Sequence, residues 1–231
     1  MRRIILALSA LLVLALLAPM PAMAQAAQSW IRVMHDSPDA PNVDVFVDGE
    51  PVFENVAYTT ISNYRALASG QHRVQIAPAG KSVKDSLIDI NVDLTHGKPY
   101  TVLALGKVTN MKGQLLPDTN KAPPAGHARV RIIHAATDIG TVDIYPSGSS
   151  VPVLTDQYFG SADYINIPAG TYTFDATPAG SAEIVMTSQP LKLEPGWVYS
   201  LVMFQPDTAA TPLVSASVDR LGTGAVARAQ P

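Results

Sequence analysis

A histidine and two aspartates recur as a set along this chain. His35, Asp39 and Asp44 return as His134, Asp138 and Asp143, each 99 positions further on. One imidazole and two carboxylates within ten residues are donor types that suit a divalent cation. With Ser37 they also supply the residue types of a nucleophilic triad. The triad fails within the chain, because Ala136 stands in the place of Ser37 while the histidine and aspartates persist. There is no nucleophile elbow, no His-Glu-x-x-His and no phosphate loop. The competing role is structural. His35, in phase with Ile31 and Val33, points inward and hydrogen-bonds the connecting loop, which Asp39 closes as an Asx turn. The set is carried forward as a candidate structural or ligand cluster, with no catalytic residue, metal or cofactor assigned. The eight tyrosines and two tryptophans offer a further chemistry, since aromatic faces stack on sugars. Most have packing roles instead: Tyr100 and Tyr199 fall in apolar strands, placed like a tyrosine corner.

The elements that position these residues repeat with them. Arg32-Val33-Met34-His35 returns as Arg131-Ile132-Ile133-His134, and Val43-Asp44-Val45-Phe46 as Val142-Asp143-Ile144-Tyr145. Tyr64 returns as Tyr164 and Pro78-Ala79-Gly80 as Pro178-Ala179-Gly180, now 100 apart, and Tyr100 returns as Tyr199 at 99. One residue inserted and later removed accounts for these offsets, and insertions of that size belong in loops or bulges. Within each copy the apolar residues alternate, as in Ile31/Val33/His35 and Val43/Val45/Val47, which marks half-buried strands. Asp48-Gly49 is a hairpin turn signal. About seven short strands per copy, punctuated by Gly and Pro, predict an all-β chain of two tandem antiparallel β-sandwich domains of immunoglobulin-like type, with a closed barrel as the alternative. The domains are expected at 25–117 and 127–221, each with its own core. A proline-rich linker joins them at 118–126, and 222–231 forms a flexible tail.

His35-Asp36-Ser37-Pro38-Asp39-Ala40-Pro41-Asn42-Val43-Asp44-Val45-Phe46-Val47-Asp48-Gly49 resembles the opening signature of the domain-of-unknown-function 4397 family. Tyr64, Ser69-Gly70 and Ala77-Pro78-Ala79-Gly80 are similar to its second block. The resemblance covers Trp30 to Leu116 and again His127 to Leu221. The second copy departs where Thr137-Asp138-Ile139-Gly140 replaces Pro38-Asp39-Ala40-Pro41. The resemblance implies an exported or cell-envelope β-domain, often in tandem, with no established activity and no catalytic residues to carry over.

Composition agrees with export. Arg2 and Arg3 precede fifteen residues, Ile4 to Ala18, that are apolar except for Ser9. That is the length of a signal-peptide core and short of the roughly 20 residues a membrane span needs. Ala22-Met23-Ala24 is a small-x-small cleavage pattern, so residues 1–24 are read as a helical signal peptide and Gln25 as the mature start. Without Arg2 and Arg3 the chain holds 14 basic and 19 acidic residues, a mildly acidic balance that argues against nucleic acid. The absence of cysteine excludes disulfides and thiolate chemistry. The expected function is that of a secreted or envelope-associated, non-enzymatic protein for adhesion, scaffolding or ligand binding, with a protein or glycan partner. The alternative is a secreted metal-dependent module or hydrolase that uses the repeated His/Asp/Asp set.

Overall fold

The computed structural model describes residues 27–119, 121–204 and 213–218. The signal segment expected over 1–24 and the tail expected over 222–231 lie outside the described residues, as does Asn120 of the linker. Strands supply nearly all the regular structure. The first half contains β1 (Gln28–Asp36), β2 (Val43–Val47), β3 (Glu50–Val56), β4 (Arg65–Ala68), β5 (Gly70–Pro78), β6 (Ile88–Leu94), β7 (Pro99–Leu105) and β8 (Lys112–Pro117). The second half contains β9 (His127–His134), β10 (Val142–Pro146), β11 (Leu154–Gln157), β12 (Ala162–Pro168), β13 (Gly170–Tyr172), β14 (Phe174–Pro178), β15 (Met186–Thr187), β16 (Leu191–Leu193), β17 (Val198–Phe204) and β18 (Leu213–Val218). Among the described residues the only helical turns are 3-10 turns at Val83–Asp85 and Val108–Asn110, and no helix is long and apolar enough to cross a membrane.

Each half folds into two facing sheets. In the first half the sheets run β4-β1-β7-β8 and β3-β2-β5-β6, and in the second β12-β9-β17-β18 and β11-β10-β14-β15, with β13 and β16 as a separate pair. Ile31, Val33, Val102 and Ala104 from one sheet meet Val43, Val45, Val74 and Ile76 from the other in the first core. Val130, Ile132 and Leu201 meet Val142, Ile144 and Ala176 in the second. These are the alternate residues of each strand, as the two-residue side-chain period requires. The hairpin expected at Asp48-Gly49 forms, with φ of 54° and 89°, and it joins β2 to β3.

Three features depart from the sequence reading. First, the sandwich is not wholly antiparallel: β1 runs parallel to β7, and β9 parallel to β17. Second, the strands that carry His35 and Asp44, β1 and β2, lie in opposite sheets, so the recurring set is split between them. The loop between them carries Pro38 and Pro41, which cannot donate to a ladder, and it crosses from one sheet to the other. Third, the offset between copies varies more than one insertion explains. Asn55 N and Asp156 N donate to Asp44 and Asp143 in matching bonds, 101 positions apart. The copies therefore drift by two residues around the β2–β3 and β10–β11 connections, where a loop absorbs length at little cost.

The strands read as half-buried are buried on both faces where the halves meet. Met34, Leu103, Leu105 and Leu116 pack with Ile133, Ala135, Val202 and Phe204 in a third apolar cluster shared by the two halves. Beside it lies a charged seam. Arg32 and Arg131 are 2% and 1% exposed. Arg131 Nη2 stands 2.7 Å from Asp118 Oδ1 and Arg32 Nε 3.5 Å from Asp118 Oδ2. Arg32 donates to Thr101 Oγ1 at 2.9 Å, and Arg131 to Ser200 Oγ at 2.9 Å. Each guanidinium is covered by a tyrosine ring, Tyr64 over Arg32 at 4.8 Å and Tyr164 over Arg131 at 5.0 Å. Asp118, counted with the linker on sequence, belongs to this seam by its contacts: its N–H continues β8 by bonding Pro99 O at 2.9 Å. A polar run flanked by prolines gives no sign of such burial, because the reason for it lies in two arginines from distant strands.

Candidate functional site

The recurring set lies where loops cross between sheets. His35 is the penultimate residue of β1 and His134 the last of β9, both facing the core side of their strand. His35 Nε2–H donates to Pro41 O at 3.0 Å, while its Nδ1 accepts from Ser37 N at 3.3 Å. His134 Nε2–H donates to Gly140 O at 3.0 Å, and its Nδ1 has no partner among the described residues. A ring edge covers each imidazole, Tyr58 at 6.1 Å from His35 and Phe159 at 6.4 Å from His134. Tyr58 and Phe159 escape the sequence reading because they match at an offset of 101, outside the 99 and 100 of the visible repeat.

The aspartates serve other loops. Asp44 accepts from Asn55 N through Oδ1 and from Gly80 N through Oδ2, both at 2.7 Å. Asp143 repeats this with Asp156 N at 2.9 Å and Gly180 N at 3.2 Å. Each carboxylate thus clamps a strand end to the Pro-Ala-Gly turn. Asn55 and Asp156 take φ of 52° and 54° to present their N–H groups. The recurrence of Pro-Ala-Gly with each Asp was the sequence signal for this clamp. Asp39 does not close its own loop as an Asx turn. It accepts from Val108 N at 2.8 Å, in the 3-10 turn after β7. Asp138 pairs with Lys107 Nζ at 3.0 Å, and Lys107 holds that exposed carboxyl below its ordinary pKa. The structure therefore brings each histidine to its loop and each aspartate to a different one. Among the described residues, no three His, Asp or Glu side chains stand close enough to hold an ion together.

Burial lowers the pKa of both histidines, against a smaller opposing effect from the carbonyl each one bonds. The folded protein keeps them neutral, whereas the unfolded chain takes up their protons near pH 6.5. Their contribution to stability is intact above that pH and lost as pH falls below it. His35→Ala is expected to cost about 1–3 kcal/mol at pH 8, with chelator changing neither protein, and to flatten the loss of melting temperature between pH 8 and pH 5. A chelator-sensitive wild type whose response disappears in His35→Ala would contradict this structural role.

One more carboxyl stands next to the set. Asp36 ends β1 with its side chain on the face shared by the two halves. It is 1% exposed, and neither oxygen has a hydrogen-bond partner among the described residues. Burial raises its pKa well above the ordinary value. The native state then holds the proton longer than the unfolded chain, so stability declines as pH rises past the unfolded value of about 3.9. The second half has Ala135 at this place. Asp36→Ala is expected to raise stability at pH 7 by about 1–3 kcal/mol, the range for relieving an unbonded buried polar group. The gain should shrink below pH 4 in a urea titration. A variant less stable than the parent at pH 7 would mean the carboxyl has a partner.

A family model described as a domain of unknown function, DUF4397, matches residues 29–145. The match is single. It runs through the first half and on to β10, where the sequence reading had placed a second copy. No curated protein matches the sequence. Among solved structures, the Bacillus anthracis TIE protein is 15% identical, with 78% of this chain and 34% of that one covered at a TM-score of 0.24. This chain thus spans about a third of that protein's length. The family-26 carbohydrate-binding module CBMbc of Eubacterium rectale Amy13K, solved with maltoheptaose, is 10% identical over 85% of this chain and 98% of its own, at 0.26. A streptococcal virulence factor solved for α-glucan binding is 13% identical over 79% and 95%, at 0.23. Likenesses at these TM-scores carry no argument about what this chain binds.

Proposed function

Because the chain belongs to the DUF4397 family, whose description names no activity, we propose from its own residues that it is an exported, non-enzymatic protein of the cell envelope or extracellular space, acting in adhesion, scaffolding or ligand binding. In this reading two tandem immunoglobulin-like β-sandwich domains follow a signal peptide, and the partner is an envelope or extracellular protein or glycan. The observation that carries the proposal is what the repeated ionisable side chains do. His35, Asp44, His134 and Asp143 each bond the backbone of a loop. Catalysis asks such groups to exchange protons or ligands with a substrate; here they hold connecting segments in place, as a surface that presents its loops requires.

The test uses the mature chain from Gln25 with envelope fractions and intact cells of its own source. Saturable retention is expected, with no turnover of ester, peptide or glycoside substrates. Turnover that disappears in His35→Ala or Asp44→Ala would overturn the proposal in favour of a hydrolase or metal-dependent module.

A further inference from the structure

We propose that the outward face of β10 and β14 in the second half is a binding site for a neutral saccharide. This deepens the binding role proposed above and rests on it. A groove of about 500 Å³ lies on that face, between the loop around Ser149 and the loop from Ser181 to Ile184.

The two halves give an internal comparison. Tyr145 pairs with Asp175, and Asp143 with Thr177, across β10 and β14. In the first half the same register places Phe46 against Gln75 and Asp44 against Ala77. Three positions have therefore changed together on one face: Phe46 to Tyr145, Gln75 to Asp175 and Ala77 to Thr177. In the first half the face is filled from within. Gln75 bonds Val83 O and Asp89, and Ala77 is fully covered. The connection over it, with the 3-10 turn Val83–Asp85, spans Gly80 to Leu87, and Leu87 N bonds Ile76 O. The second half makes the matching bond from Val185 N to Ala176 O, but reaches it in two fewer residues from Gly180 and forms no such turn. β6 runs for seven residues, whereas β15 has two. Shortening the cover opens the groove.

Two polar residues form the floor of the groove. Thr177 is 5% exposed, and its hydroxyl is buried without a partner among the described residues. Asp175 is 7% exposed. One of its oxygens accepts from Thr187 Oγ1 at 2.8 Å, and the other has no partner among the described residues. The open carboxylate oxygen can accept from an incoming hydroxyl in a charge-assisted hydrogen bond. Tyr145 supplies a ring for the apolar C–H face of a pyranose, and Ile184, 55% exposed, stands at the rim. No lysine or arginine lines the groove, which disfavours an anion. Vicinal hydroxyls that donate to the open oxygen of Asp175 and a ring face against Tyr145 are what one sugar unit offers.

The test titrates the full mature chain with neutral hexasaccharides of glucose, mannose, galactose and N-acetylglucosamine, followed by calorimetry and amide chemical shifts. A chitosan hexamer and an oligogalacturonate serve as charged controls. At least one neutral sugar is expected to bind and to shift amides of β10 and β14. The triple change Tyr145→Phe, Asp175→Gln, Thr177→Ala transplants the first half's own residues, and it should weaken binding at least about tenfold. Asp175→Asn alone, which keeps an oxygen for Thr187 and puts an amide where the open carboxylate oxygen stood, should weaken it while leaving the melting temperature near the parent's. Preference for the chitosan hexamer or the oligogalacturonate, or binding by none of the sugars, would overturn the proposal. Sugar or envelope binding that survives the triple change would also overturn it, while leaving the general binding role standing.

Discussion

Asp118→Ala should destabilise the protein by about 3–5 kcal/mol, the cost of removing one member of a buried ion pair. Its carboxylate sits between Arg32 and Arg131, with both guanidiniums almost completely out of water. It also accepts from Thr101 Oγ1 at 2.6 Å and from Tyr64 at 2.5 Å. Removing it takes the counter-charge from two desolvated cations and the acceptor from two hydroxyls. Asp118→Asn keeps the shape and loses the charge, and should fall between the alanine variant and the parent. Replacing Asp118, Arg32 and Arg131 together by leucine and methionines should recover much of the loss, since apolar groups of similar volume often match a buried ion pair. Urea unfolding of the four proteins measures this. A loss under about 1 kcal/mol for Asp118→Ala would place the pair in the range of solvated surface bridges.

Phe204→Ala should cost a comparable amount, about 3–5 kcal/mol, as for other large aromatic truncations in a core. Phe204 is 1% exposed and meets Tyr58 of the other half edge-on at 5.8 Å. The side chain therefore belongs to the contact between halves. Residues 25–121 expressed alone should still show β-type circular dichroism from their own core, but with Met34, Leu103, Leu105 and Leu116 bared. They should melt well below the whole chain and self-associate through that face. In the isolated half, Tyr58→Ala should have a much smaller effect than in the full chain. If residues 25–121 melt with the full protein and stay monomeric, the shared cluster adds nothing.

Much of this architecture was legible because β-strands declare themselves every second residue. Ile31/Val33 and Val43/Val45 read as inward faces and are inward faces. Asp48-Gly49 read as a hairpin and is one. Tyr100 and Tyr199 accept from the backbone N–H five residues upstream, at Thr95 and Glu194, as their corner-like placement implied. What the sequence hid is whatever depends on a partner far along the chain. Arg32 and Arg131 read as the outward residues of half-buried strands, and nothing local says that their outer faces meet each other across Asp118. The recurring histidines were placed correctly as inward, loop-bonded residues. The aspartates beside them were grouped by nearness in sequence, yet Asp39 answers to Val108 and Asp44 to Gly80. The groove was hidden for a related reason. It arises from a shortened connection, and a missing pair of residues leaves no motif.

The parallel pairing of β1 with β7 bears on how the chain reaches this state. Arg32 must find Thr101, so no hairpin can zip the first strand into place, and the chain between them has to be gathered first. The local units, β2 with β3 and β5 with β6, can close early; β1 can pair with β4 on one side but keeps its other edge open until β7 exists. The same order holds for β9 and β17. Closing loops of that size before the contacts repay them slows the search, and topologies dominated by such pairings fold on the millisecond-to-second scale. Until then β1 and β9, apolar on one face and carrying arginine on the other, each present an open edge on the side away from β4 and β12. Their arginines, whose charge the finished seam absorbs, are during that interval what keeps the two strands from pairing with other chains.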